Sequence, residues 1–205
     1  GSISGGVAIG DYDNDGLNDL AFTEIDMFEV GNVTVYKSDG TTIIKKWTGL
    51  TDPFGVAIGD YDNDGLNDLA FTEVVASGNV TVYKSDGTTV IKTWTGLNYS
   101  QGVAIGDYNN DGLNDIAFTE YAGQPGTGKV WVYKSDGTTI IRNWTGLTCP
   151  RVAIGDYNND GLNDLAFTEA GVPGKLTVYK SDGTTIIKKW EGLANPRNVA
   201  IGDYN

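Results

Sequence analysis

Histidine is absent from the 205 residues, and cysteine occurs once, at Cys149. The first absence excludes an imidazole base, a His-ligated zinc and a His switch near neutral pH; the second excludes an intrachain disulfide. No apolar run approaches the roughly 18 residues that a membrane helix needs. The opening GSISGGVAIG lacks the basic and apolar regions of a signal peptide, which predicts a mature chain or a piece of a longer one. Basic residues are few, 14 against 27 acidic, for a formal net charge of -13. Such a chain repels phosphates and carries no Lys/Arg stripe with interleaved aromatics, so nucleic acid is excluded as a partner. Helical periodicity is missing too: no window of 11 or more residues shows it.

What is present is repetition. Val-Ala-Ile-Gly-Asp-Tyr begins at Val7, Val56, Val103, Val152 and Val199, in steps of 49, 47, 49 and 47 residues. One supersecondary unit is therefore copied four times within a single repeat domain, 1–205, as units 7–55, 56–102, 103–151 and 152–198, with a partial fifth at 199–205. In the first unit, strands are predicted at 7–12, 20–24, 32–37 and 41–47. The last two are joined by Ser38-Asp39-Gly40, a hairpin signal that recurs at Asp86-Gly87, Asp136-Gly137 and Asp182-Gly183. Four short antiparallel strands in 47–49 residues have the size of a propeller blade. The fold class is thus all-β: a β-propeller of four-stranded antiparallel blades, four of them plus the first strand of a fifth.

The acid is concentrated between the first two strands of each unit. Fourteen of the 27 acidic residues lie in the four complete loops, which leaves 13 acids against 14 bases elsewhere. In the first loop Asp11, Asp13, Asp15 and Asp19 hold relative positions 1, 3, 5 and 9, with Gly16 at 6 and Leu17 at 7. This spacing wraps oxygens around one point. Calcium takes six to eight oxygens, glycine permits the chain to reverse, and position 7 offers its backbone carbonyl. The second copy supplies Asp60, Asp62, Asp64, Leu66 and Asp68; the third Asp107, Asn109, Asp111, Leu113 and Asp115; the fourth Asp156, Asn158, Asp160, Leu162 and Asp164. Asn at position 3 keeps a carbonyl oxygen at one charge less. An EF-hand is rejected, because its position 12 is a bidentate Glu, whereas Phe22, Phe71, Phe118 and Phe167 stand there. Ca2+ at about four sites, one per complete repeat, is the expectation.

The run Val-Ala-Ile-Gly-Asp-Tyr-Asp-Asn-Asp-Gly-Leu-Asn-Asp-Leu-Ala-Phe, followed by Gly-Asn-Val-Thr-Val-Tyr, resembles the FG-GAP repeat of integrin alpha-chain propellers and related bacterial and archaeal surface proteins. The resemblance covers essentially the whole chain. It implies a calcium hairpin joining the first two strands of each blade on one face of the ring, held by the Asp and Asn residues just named, with ligands met on the opposite face. The Phe-Gly of the name stands only at Phe54-Gly55, and Phe-Thr-Glu takes the Gly-Ala-Pro place.

Strand parity gives an independent reason to separate the faces. In a meander the loops after strands 1 and 3 share one face and those after strands 2 and 4 the other. The first set is nearly invariant among the copies. The second varies: 25–31, 74–78, 121–128 and 170–174 after strand 2, and 51–55, 98–102, 148–151 and 194–198 after strand 4. Variable loops on a rigid scaffold suit recognition of a protein or glycan. Trp47, Trp94, Trp144 and Trp190 recur once per unit and are expected to pack between blades, while Trp131, in place of a Thr, is the better surface candidate. Sequons at Asn32, Asn79, Asn98 and Asn143 agree with an extracellular or cell-surface glycoprotein. Three function classes follow: a calcium-stabilised recognition or adhesion module; a filament or sheath protomer that self-associates through the duplicated terminal strand; and a polysaccharide-degrading enzyme. The last ranks lowest. The clustered carboxylates are claimed by metal, and Arg142, Arg151 and Arg197 are the only pointers to anionic sugars.

Overall fold

The computed structural model describes residues 3–26, 28 and 30–202. Among the described residues sixteen strands form four separate four-stranded antiparallel sheets. The first holds β1 (Ile3–Gly10), β2 (Asp19–Ile25), β3 (Val30–Tyr36) and β4 (Ile43–Thr51). The second holds β5 (Pro53–Gly59), β6 (Asp68–Glu73), β7 (Gly78–Tyr83) and β8 (Val90–Leu97). The third runs through β9 (Val103–Gly106), β10 (Asp115–Glu120), β11 (Gly128–Tyr133) and β12 (Ile140–Leu147). The fourth contains β13 (Arg151–Gly155), β14 (Asp164–Glu169), β15 (Gly174–Tyr179) and β16 (Ile186–Leu193). Strand order within each sheet is sequential, and β1, β5, β9 and β13 pack in succession, so the sheets stand as propeller blades in an open arc.

Glycine makes that succession possible. A Cβ on Gly10 would lie 2.8 Å from Ile58, one on Gly59 2.9 Å from Ile105, and one on Gly106 3.0 Å from Ile154. The inner strands meet with backbone against a branched side chain, and only glycine leaves the space. Gly155 meets Ile201 in the same way, at 2.9 Å. Residues 199–202 thus continue the inner stack where the first strand of a fifth unit is expected, without a strand ladder of their own. Asp203, Tyr204 and Asn205 lie outside the described residues.

The core sits between blades. Tyr12, Val33, Val35 and Trp47 of the first blade pack on Val56, Leu69 and Phe71 of the second, and the same constellation recurs at the next two interfaces. Leu69, Ile116 and Leu165 are fully buried, each worth about 1.5–3 kcal/mol of hydrophobic stabilisation. Their counterpart Leu20, on the blade with a neighbour on one side only, is 37% exposed. Three of the four repeated tryptophans pack between blades as expected, while Trp190 of the last blade meets Tyr157 of its own blade. Trp47 tilts against Phe71 and Tyr83, Trp94 against Phe118 and Tyr133, and Trp144 against Phe167 and Tyr179, each pair spanning two blades.

Strand limits differ from the sequence pattern in two informative places. Thr41 and Thr42 belong to the turn, not to β4. The Asp39 carboxylate accepts both their N–H groups, at 2.7 and 2.8 Å, and the Thr42 hydroxyl at 2.6 Å, so the ladder starts at Ile43. At its other end β4 runs on to Thr51 because Gly49, at φ 72°, is accommodated as a bulge opposite Gly31 and Asn32. Gly96, Gly146 and Gly192 repeat this bulge.

Candidate functional site

The acidic loops connect the inner strand of each blade to its neighbour, and two left-handed residues set their curl. Asn14 (φ 58°) and Gly16 (φ 90°) turn the first loop, and Asn63 with Gly65, Asn110 with Gly112 and Asn159 with Gly161 turn the others. Asn and Gly are the residues that adopt this conformation at least cost. The backbone then folds around its own carboxylates. Asp15 N–H and Gly16 N–H donate to the two oxygens of Asp11 at 3.0 and 2.9 Å, and Leu17 N–H donates to Asp15 at 3.0 Å. Carboxylate oxygens of Asp11, Asp13 and Asp15 come within 4.8 Å of one another, as do those of Asp60, Asp62 and Asp68.

Position 9 anchors the loop from below. Asp19, Asp68, Asp115 and Asp164 are all at most 1% exposed. One oxygen of Asp68 accepts the N–H groups of Tyr61 and Asp62 at 2.9 and 3.2 Å, and Asp19 does the same for Tyr12 and Asp13. The other oxygen, Oδ1, is buried in both residues without any donor. A buried carboxylate oxygen lacking a donor is costly unless a cation completes it. Burial pushes the Asp68 and Asp115 carboxyls up to about 6, and raises Asp164 as well. Several carboxylates converging on one point, with Oδ1 of Asp19 and Asp68 left without a donor, fit a hard, oxygen-seeking cation.

The structure places all the sequence-predicted acidic and Asn residues in these loops. Leu17, Leu66, Leu113 and Leu162 turn their side chains outward, 45–57% exposed, so only their backbone is available to the loop. Sequence reasoning missed a basic partner. Lys37 Nζ lies 2.5 Å from Asp13 and 3.0 Å from Asp15, and Lys84 lies 2.6 Å from Asp62 and 2.8 Å from Asp64. Where Asn replaces Asp at position 3, Lys134 and Lys180 each keep a single carboxylate, Asp111 at 2.9 Å and Asp160 at 3.2 Å. The ammonium beside them holds Asp15, Asp64 and Asp111 below their ordinary range, and the carboxylates raise Lys37, Lys84 and Lys134 in return. At Asp160 the Asn158 amide is the first cause of the same depression, ahead of Lys180. A lysine directly after the Tyr of every third strand was the available signal.

The loops are also laced to one another, which the sequence reading did not anticipate. Asn67 donates its side-chain amide to the Asp11 carbonyl at 2.6 Å and its N–H to Asn14 Oδ1 at 3.1 Å. Asn114 repeats this toward Asp60 and Asn63, and Asn163 toward Asp107 and Asn110. In the opposite direction, from each blade to the next, Tyr12 Oη donates to the Lys84 carbonyl and Tyr108 Oη to that of Lys180, both at 3.3 Å. Burial raises both phenols, so they stay protonated as donors.

On the opposite face the two variable loop sets meet, as strand parity requires. The connection leaving one blade bonds to the loop after the second strand of the next: Val74 N–H to Asp52, Tyr121 N–H to Asn98 and Ala170 N–H to Thr148, at 2.8–2.9 Å. Met27 and Glu29 of the first such loop lie outside the described residues. Trp131 is half-buried; its Nε1–H donates to Glu120 at 2.8 Å and Lys129 lies over its ring. Arg142 does not reach this face. It donates to the Gly183 carbonyl at 2.9 Å, in the invariant hairpin turn of the next blade. Among the sequon residues Asn98 and Asn143 are exposed, whereas Asn32 and Asn79 are half-buried within β3 and β7.

Among families, the FG-GAP-like repeat matches the chain at residues 11–71, 60–118 and 107–167. No curated protein matches it. Among solved structures, a rhamnogalacturonan lyase PL11 from Bacillus licheniformis is similar at 12% identity with a TM-score of 0.59, over 89% of this chain and 41% of that one. BBS1N, solved in complex with ARL6DN, is similar at 18% identity and TM-score 0.58, over 95% of this chain and 56% of that one. The Dos1 propeller is similar at 8% identity and TM-score 0.59, over 93% and 47%. The chain spans about half the length of these structures, and the likeness is one of fold.

Proposed function

Because the chain belongs to the FG-GAP-like repeat family, we propose that it is a calcium-stabilised extracellular β-propeller module for recognition or adhesion at a cell surface, binding a protein or glycan through its variable loops. The observation that carries the metal half is the buried Asp68 carboxylate, whose Oδ1 lacks a donor at the base of a three-carboxylate cluster. Calcium would be held by the carboxylates at positions 1, 3, 5 and 9, with Asn109 and Asn158 lending carbonyl oxygens and Leu17, Leu66, Leu113 and Leu162 their backbone carbonyls. Its contribution is charge neutralisation and rigidity; no bond-making step is implied. The recognition half is supported by the contrast between an invariant face and a variable one on the same sheets. The module is read as non-enzymatic, since the lyase similarity at 12% identity bears on fold alone.

A second reading, a filament or sheath protomer, draws on residues 199–202, which stack on β13 through Ile201 and Gly155 as an inner strand would. Strand exchange between copies would then generate a fibre unless the rotation closes. Electron microscopy with calcium and with a chelator separates the two. Discs that loosen on chelation support the recognition module, filaments support the protomer, and particles indifferent to chelation overturn the metal assignment. Calorimetry refines it: the first two loops, with four Asp each, bind calcium more tightly than the Asn-containing pair, and four equal sites would contradict this ordering.

A further inference from the structure

One position on the recognition side breaks the repeat. The residue before the inner-strand Val is glycine in three blades, Gly6, Gly55 and Gly102, and its N–H donates to a threonine hydroxyl, Thr23, Thr72 or Thr119, at 2.9 Å each time. Neighbouring backbone crowds the place: a Cβ on Gly55 would sit 2.7 Å from the Gln101 carbonyl oxygen. In the fourth blade the residue is Arg151. It is 5% exposed and lines a cavity of about 290 Å³ where the starts of the inner strands converge, with Phe54, Gly55, Gln101, Gly102 and Asn198 among its walls.

This arginine has no carboxylate partner among the described residues. Its side-chain hydrogen bonds among the described residues all fall on Nη1, which donates to the carbonyls of Pro150 at 3.1 Å and Cys149 at 3.4 Å, and to Cys149 Sγ at 3.5 Å. Nε is buried with no acceptor, and so is the hydroxyl of Thr168, Arg151's partner across the ladder. The guanidinium carbon lies 5.0 Å from the centroid of the Phe54 ring. Burial lowers the Arg151 pKa, the Cys149 sulfur beside Nη1 works against that, and Arg197 adds a second positive charge nearby. A buried guanidinium with nothing to neutralise it is expensive in any protein. In a chain with 27 acidic residues, none of which lines this cavity, that charge calls for an anion from outside.

We propose that the axial cavity is a carboxylate-binding site, in which the Nε–Nη2 edge of Arg151 holds the carboxylate of a small ligand while the Phe54 ring fixes the plane of the guanidinium. A planar fork of N–H donors matches two carboxylate oxygens. The assignment deepens the recognition reading and rests on it for its biological sense: Phe54, Gln101, Arg151 and Asn198 belong to the variable loops after strand 4.

The chain has three arginines, Arg142, Arg151 and Arg197, so their Nε–H groups give a readable spectrum in the intact protein. Titration with acetate is expected to move the Arg151 resonance to saturation, while acetamide, of the same shape without the charge, leaves it in place. Arg151→Lys keeps the charge and loses the fork; acetate binding, read on the Gly55 and Gly102 amides, should weaken about ten-fold or more. An equal response to acetamide, a response at Arg197 without Arg151, or tighter binding of sulfate than of acetate would each overturn the proposal. None of these outcomes touches recognition by the loops after strand 2, which exchange of those loops tests separately.

Discussion

On one face of the arc, every blade carries a nine-residue acidic loop and an Asp-Gly turn of constant length; on the other, the loops after the second strand run from 74–77 in the second blade to 121–127 in the third. The invariant face is hydrogen-bonded from blade to blade through side chains, Asn67 to Asp11 and Asn114 to Asp60. The variable face is joined chiefly through backbone groups, such as Val74 N–H to the Asp52 carbonyl, with Glu73 and Glu120 adding side-chain bonds to Thr51 N–H and Asn98 N–H. Backbone pairing tolerates any side chain, so those connections survive a change of residue. Side-chain lacing does not allow that. The difference explains why the four copies agree so closely on one face while diverging on the other.

The largest way to break the comparison is to remove the cation. Each independent site contributes about 2.7 kcal/mol when free calcium is a hundred times its dissociation constant, so four sites contribute about 11. Chelation is therefore expected to lower the melting temperature strongly and to raise proteolysis in the acidic loops before the variable ones. Superimposable melting curves with and without chelator would show that the invariant face owes nothing to metal.

Acidification comes next and should change sign with calcium. In the metal-free protein, burial holds the Asp68 and Asp115 carboxyls at about 6, above the unfolded value of about 3.9. A folded state that binds the proton more tightly gains stability below the unfolded pKa and loses it as pH rises through about 6. These two groups thus favour pH 4.5 over pH 7 by about 2 kcal/mol each. Calcium inverts the trend, because protons compete for the same oxygens. The Asp-Gly turns supply an internal contrast. The Thr42 hydroxyl and N–H groups hold Asp39 well below the carboxylate range, as their counterparts hold Asp86, Asp136 and Asp182. Their contribution is present above the unfolded pKa and is lost only as pH falls through the depressed folded value. Carboxyl resonances followed by NMR would resolve both sets; titration of Asp68 near 4 in the apo protein would contradict the burial argument.

A smaller effect isolates the lacing itself. Asn63 serves the belt twice, by adopting φ 61° and by accepting from Asn114 N–H at 2.8 Å. Asn63→Gly keeps the conformation and loses the acceptor, a cost of about 1 kcal/mol. Asn63→Ala adds left-handed strain of about 1–2 kcal/mol. Urea unfolding in calcium should rank wild type above Gly above Ala, and equal stability of all three would mean that the belt carries no energy.

The repeat, the blade and the acidic loops were legible because each rests on local chemistry: a period near 48, Asp-Gly turns, and carboxylates at alternating positions. The belt was not, although Asn stands at positions 4 and 8 of every loop. In one copy such residues read as turn formers, and only packing reveals that Asn67 reaches back 56 residues to Asp11. Position 9 was legible as a ligand but not as a buried anchor, since nothing in the loop tells that Asp19 lies under the chain and Asp13 beside it. Arg151 was visible only as a basic residue; its meaning depends on the three glycines that occupy the same place in other blades.

The smallest stability change should accompany the largest change in recognition. Residues 122–126 of the third blade are exposed, and the nearby ladder is closed by Tyr121 N–H on the Asn98 carbonyl at 2.8 Å. Exchanging 122–126 for the shorter segment of the second blade leaves that hydrogen bond and the cores untouched. Unfolding free energy should shift by about 0.5 kcal/mol or less. If this face recognises a protein or glycan, the exchange should remove or redirect binding on a glycan array or surface pull-down. A variant with altered stability and unchanged binding would place the function elsewhere and leave the diversity of this face to neutral drift at surface loops.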